Sequence, residues 1–504
     1  MRICAGAAII GMFGIDISSA RGQCEAAKLM PDDGHAGQFF GADVAVRGDV
    51  VLVGASYDVG SGAEAGAVYV YRRDGLTWIE EAKLLASDAE ELDRFGSATA
   101  VDGTVALVGA WGDDDAYQGH QSCNSGAAYV FRRTGEGWVQ EAKLLAPEPE
   151  WGDHVGYAVD LDGDIAVLGA PCDNDGGIVS GIVYVFRYEG GAWSCEATLN
   201  HPYPSAHDSF GYSVAVRGNR LMIGCTGDDD FGMDAGSVFV FEHDGSGWVE
   251  QAKLRASDVQ DCDEFGTAVD ASGDLLVVGA RWNDVYGPGS GSAYVFGFDG
   301  GQWPEEARLL ASDGATEDQF GFAVATNGQA VVVGAHRDDD LGIDSGSVYI
   351  FRDDGAAWFE HAKLLASDGR ADDRLGASLA YDGPVVVAGA PRHDLNGENA
   401  GAAYIYDDLG EDCNVNGICD SMDILNGTSC DINDNGVPDE CEDLCVGDVD
   451  EDGHVGTGDL LALLAAWGPC PPEGACMADV VCDGVINVPD LLVLLGQWGP
   501  CPRR

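Results

Sequence analysis

The chain has 504 residues, of which 26 are Lys or Arg and 86 are Asp or Glu, giving a formal net charge of −60. Nucleic acids and anionic membranes are bound through basic patches, so this charge argues against both as partners. Hydrophobic residues make up 46% of the chain, which favours a folded protein over a disordered one.

The first twenty residues have the features of a secretory signal. Arg2 precedes a short apolar stretch from Ile3 to Ile15, and the small residues Ser18 and Ala20 suit cleavage. We therefore assign 1–20 as a signal peptide and expect an extracellular protein, secreted or associated with a cell surface. No later segment reaches the roughly 18 apolar residues of a membrane helix, so no membrane insertion is expected. Sixteen cysteines in an exported chain predict disulfides.

Seven copies of one unit follow, which is the first feature to seek in a long chain. Each contains an apolar residue followed by Gly, and another Gly lies fourteen positions after that apolar residue. The spacing between units is 55 residues except for one of 60. The seven pairs are Phe40-Gly41, Phe95-Gly96, Val155-Gly156, Phe210-Gly211, Phe265-Gly266, Phe320-Gly321 and Leu375-Gly376.

Each unit has the pattern of four short β-strands, here called A to D. In the fourth unit they are FGYSVAV, RLMIGC, GSVFVFEH and WVEQAKL, which are rich in Val, Ile, Phe and Tyr and bounded by Gly and Asp. A tight turn ending in Gly joins strands A and B in every unit. Repeated four-stranded antiparallel units predict an all-β fold, a seven-bladed β-propeller.

The first and last units predict how the ring closes. The seventh unit stops after strand C, at Tyr404-Ile405-Tyr406, whereas a lone strand D string, CEAAKL, stands at 24–29. We therefore expect the N-terminal strand to complete the seventh blade, which would hide an exposed sheet edge. The predicted propeller covers 23–406.

The frame of FG, GA and strings such as GSVFVF resembles the FG-GAP repeat family, whose repeats build integrin α-subunit propellers. The closer likeness is to the bacterial form of the repeat. The resemblance implies a binding or adhesion function. Integrin-type blades bind calcium in a D-x-D-x-D-G loop between strands A and B. Here that connection is only a tight turn, so those calcium sites are not expected.

The loops on one face of the predicted propeller are acidic. We take the following B–C loop residues as a candidate binding face: Asp113, Asp114, Asp115, Asp173, Asp175, Asp228, Asp230, Asp338 and Asp340. Carboxylate clusters suit Ca²⁺, and such a face would recognise a glycan or a protein. Alternatively, these aspartates cap turns and keep the face soluble. Cys123 and Cys172 lie in equivalent loops of neighbouring blades, and we mark them as disulfide candidates.

The segment 407–444 is rich in cysteine and has two stretches with the spacing of calcium loops. Oxygen ligands at alternate positions, with Gly for the sharp turn, let a short loop surround a cation. The alternative is a pair of disulfide-bonded turns. The candidate ligands are Asp412, Asn414, Asn416, Asp420 and Asp423 in the first loop, and Asp431, Asn433, Asn435, Asp439 and Glu442 in the second.

The segment 445–504 contains a duplicated unit, CVGDVDEDGHVGTGDLLALLAAWGPC and CMADVVCDGVINVPDLLVLLGQWGPC. Each copy resembles the calcium-loop and helix modules of type I dockerins, in a variant framed by Gly and Cys. Val481 replaces an oxygen ligand in the second copy, which weakens that site. The candidate metal ligands are Asp448, Asp450, Asp452, His454 (through its carbonyl) and Asp459, then Asp479, Asp483, Asn487 and Asp490. The bracketing cysteines suggest the disulfides Cys445–Cys470 and Cys476–Cys501.

Three functions are consistent with these features. The first is a non-enzymatic, calcium-associated binding protein, monomeric, whose dockerin-like tail attaches it to a cohesin-like scaffold or surface protein. The second is an extracellular polysaccharide-active enzyme carried on the propeller, and the third is a structural surface component. No nucleophile motif, phosphate loop or zinc-ligand spacing favours an enzyme. The tail is either such an anchor or a calcium-stabilised cap, and a fold likeness does not decide between them.

Overall fold

A computed structural model describes residues 25–60, 62–75, 77–115, 124–407, 449, 454–469, 478, 485–496 and 498–500. The chain divides into two compact units, one covering 27–406 and the other made largely of 407–504. The predicted signal peptide 1–20 and the predicted calcium loops at 412–423 and 431–442 lie outside the described residues.

The first unit consists of four-stranded sheets, here called blades 1 to 7, and the first four follow one another along the chain. Blade 1 has β2 (Phe40–Arg47), β3 (Val50–Ala55), β4 (Ala67–Asp74) and β5 (Thr77–Leu84). Blade 2 has β6 (Ala98–Asp102), β7 (Val105–Ala110), β8 (Ala127–Thr134) and β9 (Gly137–Leu144). Blade 3 has β10 (Ala158–Asp162), β11 (Ile165–Ala170), β12 (Ile182–Glu189) and β13 (Ala192–Asn200). Blade 4 has β14 (Phe210–Arg217), β15 (Arg220–Cys225), β16 (Ser237–His243) and β17 (Trp248–Leu254).

The last three blades continue the order, and the seventh takes its outer strand from the N-terminal part of the chain. Blade 5 has β18 (Val269–Ser272), β19 (Leu275–Ala280), β20 (Ser292–Gly297) and β21 (Glu305–Leu309). Blade 6 has β22 (Ala323–Thr326), β23 (Ala330–Ala335), β24 (Ser347–Asp353) and β25 (Trp358–Leu364). Blade 7 has β26 (Ser378–Asp382), β27 (Val385–Ala390), β28 (Ala402–Asp407) and β1 (Glu25–Leu29).

The blades form a closed ring. The first strand of each blade packs against the first strands of both neighbouring blades, and β2 of blade 1 packs against β26 of blade 7. Strand A therefore lies nearest the ring axis in every blade, and strand D lies outermost. The sheet order β1-β28-β27-β26 shows that the N-terminal strand completes blade 7. The predicted all-β, seven-bladed fold and its closure are confirmed.

The two glycines of the repeat frame explain why its spacing is so regular. A Cβ atom added to Gly54 of blade 1 would lie 2.1 Å from the carbonyl oxygen of Gly96 in blade 2. The same close approach joins Gly389 of blade 7 to Gly41 of blade 1, at 2.2 Å. Adjacent blades thus meet through backbone contacts that only glycine allows. Between these contacts the B strands are buried along their length, as in β3 and β7.

The described part of the second unit contains two short helices, α1 (Thr457–Ala465) and α2 (Val488–Gly496). The two-residue strand β29 (His454–Val455) pairs with β32 (Gly499–Pro500), and β30 (Gly468–Pro469) pairs with β31 (Val485–Ile486). The strand before each helix thus pairs with the strand after the other helix, as expected for a duplicated module. Its apolar core contains Val455, Leu463, Ala478, Ile486 and Leu494. Among the described residues, no helix is both long and apolar enough to span a bilayer.

Candidate functional site

The B–C loops contribute a repeated cluster of polar side chains, which is clearest in blade 2. The Tyr129 hydroxyl lies 2.6 Å from Asp113 and 2.9 Å from Asp88, so it can donate to either carboxylate. The Lys143 ammonium lies 2.8 to 2.9 Å from oxygens of Asp88, Asp113 and Asp115. Asp113 is only 1% exposed. We call this combination of Tyr, Lys and their aspartates the buried network, because its central carboxylate is stabilised inside the protein.

Five other blades contain the buried network or a close variant of it. Strand D supplies its cation in each case, and blade 7 takes that cation from the N-terminal strand. The groups are Asp33, Asp58, Tyr69 and Lys83 in blade 1; Asp228, Phe239 and Lys253 in blade 4; Asp258, Asn283, Tyr294 and Arg308 in blade 5; Asp313, Asp338, Tyr349 and Lys363 in blade 6; and Asp368, His393, Tyr404 and Lys28 in blade 7.

The nine aspartates of the candidate binding face divide into buried and surface residues. Asp113, Asp173, Asp228 and Asp338 are buried, and an oxygen of each accepts the backbone N–H two residues later in the same loop. The turn-capping interpretation therefore describes these four side chains. Asp115, Asp230 and Asp340 are exposed and form ion pairs with the strand D lysines, whereas Asp175 is exposed and Asp114 is half-buried.

The D–A loops supply a second buried aspartate. Its carboxylate accepts the backbone N–H of the residue three positions earlier, as in Asp93 and Asp318. Burial raises the pKa of both to about 6, and the nearby carboxylates of Asp113 and Asp338, respectively, contribute to the rise. Asp153 and Asp263 occupy equivalent positions, and burial likewise raises the pKa of each to about 6. In blades 2 and 6 the D–A loop aspartate thus lies close to the B–C loop aspartate, and one lysine serves the carboxylates of each blade.

Two groups in the described residues have ligand atoms near enough to share a metal ion, and in both a lysine already contacts the aspartate. The first is His201, Cys225 and Asp228, and the second is Asp313, Asp338 and Asp340. Lys253 lies 2.6 Å from Asp228, and Lys363 lies 3.1 Å from Asp338. The ammonium group thus provides the positive charge that a metal ion would otherwise supply there.

Cys172 does not form the predicted disulfide in the structure. Its thiol is free and half-buried, and burial raises its pKa, with a further contribution from the Asp153 carboxylate. Its proposed partner, Cys123, lies outside the described residues. A thiol with a raised pKa is a poor nucleophile, which disfavours a reactive role for Cys172.

The inner rim of the same face carries side chains that vary around the ring and do not follow the sevenfold repeat. Strand A lies nearest the axis, and the chain enters it from this face, so residues beside its start lie at the axial end of the face. We call the following residues the axial cluster: Tyr157, Tyr212, Arg281, Phe322, His336, Arg337, Arg374 and Arg392.

Arg281 connects the aromatic residues of the axial cluster. Its guanidinium lies 5.8 Å from the ring centre of Tyr212 and 5.6 Å from that of Phe322, which belong to the blades on either side. Its Nε donates to Glu264 at 2.9 Å. The Tyr157 and Tyr212 rings lie 5.3 Å apart. These aromatic residues and Arg281 come from four consecutive blades, and the arginines of blade 7 extend the cluster to a fifth.

His336 lies at the buried end of the axial cluster. It is 4% exposed, its ring centre lies 3.9 Å from that of Phe322, and its Nδ1 has no hydrogen-bond partner. Burial lowers the pKa of His336 to about 3, and the guanidinium groups of Arg374 and Arg337 contribute to the decrease. His336 is therefore neutral at physiological pH and offers a ring nitrogen for hydrogen bonding.

Each remaining arginine of the axial cluster has an acidic partner. Arg337 lies 3.4 Å from Glu317, Arg374 lies 3.4 Å from Asp344, and Arg392 lies 2.9 Å from Asp372. These arginines are partly exposed, and the Arg281 guanidinium lies beside aromatic rings. Planar polar groups next to aromatic faces provide both directional hydrogen bonds and an apolar contact surface.

Sequence reasoning missed the axial cluster, although one signal was present. The two positions between strand B and the B–C loop aspartate or its equivalent carry a different pair of residues in every blade, although single residues recur, as Arg does at 337 and 392, whereas the neighbouring positions repeat. These pairs are Ser56-Tyr57, Trp111-Gly112, Pro171-Cys172, Thr226-Gly227, Arg281-Trp282, His336-Arg337 and Pro391-Arg392. The 60-residue spacing is the more obvious departure from the repeat, and it lengthens the B–C loop of blade 2 without involving these positions.

Four of the tail's predicted calcium ligands lie within the described residues. Asp459 and Asp490 are buried at the starts of α1 and α2, where they accept the backbone N–H groups of Gly456 at 2.6 Å and Asn487 at 2.7 Å. His454 is exposed in β29. The two aspartates therefore cap their helices, whatever else they bind.

The other tail predictions fall on residues outside the described ranges. They are the ligands Asp448, Asp450, Asp452, Asp479 and Asp483, both loops between 412 and 442, and the cysteines Cys445, Cys470, Cys476 and Cys501.

The FG-GAP repeat profile matches seven segments of the chain: 24–71, 78–131, 138–186, 193–241, 248–296, 303–351 and 358–406. These segments cover more than half of the sequence. The chain belongs to the FG-GAP repeat family. Each matched segment begins at strand D of one blade and ends in strand C of the next. The first segment therefore begins at the N-terminal strand that completes blade 7.

Other comparisons add little to the family assignment. No curated protein matches the chain. One similar solved chain comes from a structure titled "Crystal Structure of Mitotic Checkpoint Complex". It is 11% identical, the alignment covers 80% of this chain and 99% of that chain, and the TM-score is 0.47.

Proposed function

We propose that this FG-GAP repeat protein is a secreted, non-enzymatic binding protein whose propeller binds a glycan at the axial cluster. The observation that carries the proposal is the departure of these residues from the sevenfold repeat. A scaffold repeats its side chains, as the buried network does, whereas a ligand site must differ from blade to blade to fit one ligand. The axial end of the face is where those differences concentrate.

The chemistry of the axial cluster suits a sugar ligand. The rings of Tyr157, Tyr212 and Phe322 offer flat apolar faces, and Arg281 and Glu264 offer donors and acceptors beside them. Binding sites of this kind combine an apolar lining with a few convergent polar groups. The unpartnered Nδ1 of His336 adds a hydrogen-bonding atom at the buried end. The arginines are matched by acidic partners, which favours a ligand recognised through hydroxyl groups over a strongly charged one.

A binding assay with defined glycans tests this proposal. The full chain would be titrated with a neutral β-glucan, xylan, polygalacturonate and a sulfated galactan, alongside Arg281→Met and Tyr212→Ala variants. We expect at least one polysaccharide to bind, with each variant weakening it at least about tenfold, or about 1.4 kcal/mol. Arg187→Gln is a matched control, because Arg187 forms ion pairs with Glu196 and Asp164 on the opposite face. Equal binding by wild type and both cluster variants would contradict the assignment.

We further propose that the tail binds calcium and anchors the propeller to a scaffold or cell-surface protein, as a dockerin-like module would. The duplicated helix pair, with a buried aspartate at the start of each helix, supports this role. A pull-down from secreted and surface fractions would compare the full chain with a chain ending at Asp407, each in calcium and in EDTA. Capture of one protein only by the full chain in calcium is the expected result. Equal capture by both chains would assign the interaction to the propeller and leave the tail as a cap.

A further inference from the structure

Blade 5 lacks an arginine that most of the other blades have. The strand C residue that pairs with the first residue of strand B is Arg in four blades, and blade 4 instead places Arg220 in strand B opposite Glu242. Blade 5 has Gly297 at this position. Blade 7 has Asp407 at the aligned position, but its strand D has Ala26 where blades 1 to 3 have Glu. The four arginines are Arg72, Arg132, Arg187 and Arg352.

Blade 5 retains the acidic partner of the missing arginine. In blades 1 to 3 the strand C arginine pairs with a glutamate of strand D. In blade 2, for example, Arg132 Nη2 lies 2.8 Å from Glu141, which occupies the bulge between strands C and D. Glu306 occupies the same bulge in blade 5. Among the described residues, none forms a hydrogen bond or an ion pair with the Glu306 carboxylate.

A cavity of about 460 Å³ lies where the arginine is missing, between blades 5 and 6 on the face of the A–B turns. Gly297 and Phe298 line it from strand C, Glu306 lines it from strand D, and the A–B turns of both blades line its sides. A Cβ atom added to Gly297 would lie 1.9 Å from Oε1 of Glu306, so the carboxylate covers the glycine. The volume falls within the range of small-ligand sites, roughly 300 to 1,000 Å³.

The wall of the cavity is formed without a ligand. Strands C and D of blade 5 pair over a shorter length, from Gly297 to Glu305, because Pro304 has no backbone N–H to donate to strand C. The Phe298 and Trp303 rings lie 5.1 Å apart, and the Arg220 guanidinium of blade 4 lies 3.8 Å from the Phe298 ring centre.

Only one of the two carboxylates that line the cavity has a protein cation beside it. Asp274 lies 2.9 Å from Arg220, and both carboxylates are exposed. Glu306 is therefore the carboxylate that a ligand can neutralise.

We propose that this cavity binds a guanidinium group, carried by a free arginine-like cation or by an arginine side chain of a partner protein, and that the group pairs with Glu306. The protein uses the same chemistry in blade 2, where the Arg132 guanidinium pairs with Glu141 and lies 4.9 Å from the ring centre of Tyr188 in the next blade. A planar guanidinium can form two parallel hydrogen bonds with a carboxylate, which an ammonium cannot. The site is separate from the proposed glycan site, which lies on the opposite face.

Ligand-observed NMR with the full chain at low ionic strength tests the cavity. The probes are Nα-acetyl-arginine amide, its neutral isostere Nα-acetyl-citrulline amide, and Nα-acetyl-lysine amide. We expect the arginine compound to bind, and the citrulline compound to bind at least about tenfold more weakly, because it cannot neutralise Glu306. Free arginine and the peptide Gly-Arg-Gly identify the source, since a site for a free cation would prefer the former and a site for a partner's side chain the latter.

Two variants of the cavity make the test specific to blade 5. Gly297→Arg supplies the missing side chain, and the nearest atoms that must move belong to the flexible Glu306 side chain. Glu306→Gln leaves the cavity open and removes its charge. We expect each variant to weaken binding of the arginine compound at least about tenfold.

A charge-matched control is needed because a chain with a net charge of −60 attracts any cation. Asp354→Asn removes one negative charge from an exposed turn of blade 6 and should leave binding unchanged. Equal binding of the arginine compound to wild type, Gly297→Arg and Glu306→Gln would overturn the proposal. Binding of the citrulline compound as tightly as the arginine compound would also overturn it.

Discussion

Lys28 Nζ lies 2.7 Å from the Asp368 carboxylate, although 340 positions separate the two residues in the chain. The same ammonium lies 2.7 Å from Nε2 of His393. The N-terminal strand thus provides blade 7 with both its outer strand and the cation of its buried network. Ring closure and charge neutralisation are therefore achieved by one five-residue strand.

Removing this strand should destabilise the propeller. A chain that begins at residue 31 loses the buried Leu29 side chain, the Lys28 ion pair and the backbone partner of β28, at a cost of at least about 3 kcal/mol. It should also aggregate, because the edge of β28 becomes exposed. Thermal unfolding and light scattering would be compared with a chain that begins at residue 24. Equal melting temperatures for the two chains would show that closure does not depend on this strand.

The lysines of the buried network should contribute more to the free energy of unfolding than the arginines of exposed ion pairs. Lys363→Met leaves Asp313, Asp338 and Asp340 without their shared cation, and we expect a loss of about 3 kcal/mol at pH 7.5. Against the effect of burial, the hydrogen bond from Lys363 holds the pKa of Asp313 below its ordinary value of 3.8, so the loss should shrink as the pH falls below about 4. Arg132→Met removes an exposed pair with Glu141 and should cost less than about 1 kcal/mol. Denaturant unfolding measures the loss of unfolding free energy in both variants. Similar losses in Lys363→Met and Arg132→Met would show that the buried and exposed ion pairs contribute equally.

The buried D–A loop aspartates should make the folded state less stable as the pH rises. The pKa of Asp318 is about 6 in the folded protein, against an ordinary value of 3.8, so between these pH values the folded form holds a proton that the unfolded form has lost. Stability contributed by protonated Asp318 is thus complete below about pH 4 and is lost as the pH passes 6. Asp318→Asn keeps an acceptor for the Ala315 N–H and removes the charge.

We therefore expect Asp318→Asn to be more stable than wild type by about 1 kcal/mol at pH 7.5 and equally stable at pH 4. Asp354→Asn is the control, because Asp354 is an exposed turn residue whose pKa is lowered by the backbone N–H groups of Ala357 and Ala356. Removing that carboxylate should bring no gain at pH 7.5. Denaturant unfolding at both pH values measures the difference in unfolding free energy between Asp318→Asn and wild type. If that difference is smaller at pH 7.5 than at pH 4, the pH dependence has the opposite sign and the prediction is wrong.

Much of the fold could be predicted because its cause is local and repeated. The glycine pairs, exemplified by Gly54 and Gly96, must recur wherever two blades meet, so the blade interface leaves a regular spacing in the sequence. Ring closure was also visible, since the missing strand of the seventh unit had a lone counterpart near the N-terminus.

The site was harder to predict because its contacts join distant positions. Arg281 meets Tyr212, 69 residues earlier, only because the ring brings the starts of three A strands together. Likewise, the acidic B–C loops look exposed in sequence, and only the sheet register places Lys143 and Tyr129 side by side over Asp113. Charge along the chain therefore overstated how much acid lies at the surface.

We propose above that the ligand binds at the axial end of the B–C loop face. Hydrogen exchange of the full chain, with and without the tightest-binding polysaccharide of the panel, tests it most directly. We expect slower exchange in peptides containing Tyr157, Tyr212, Arg281 and His336, and no change in the A–B turns. Protection confined to the A–B and C–D turns, or to 445–504, would contradict it.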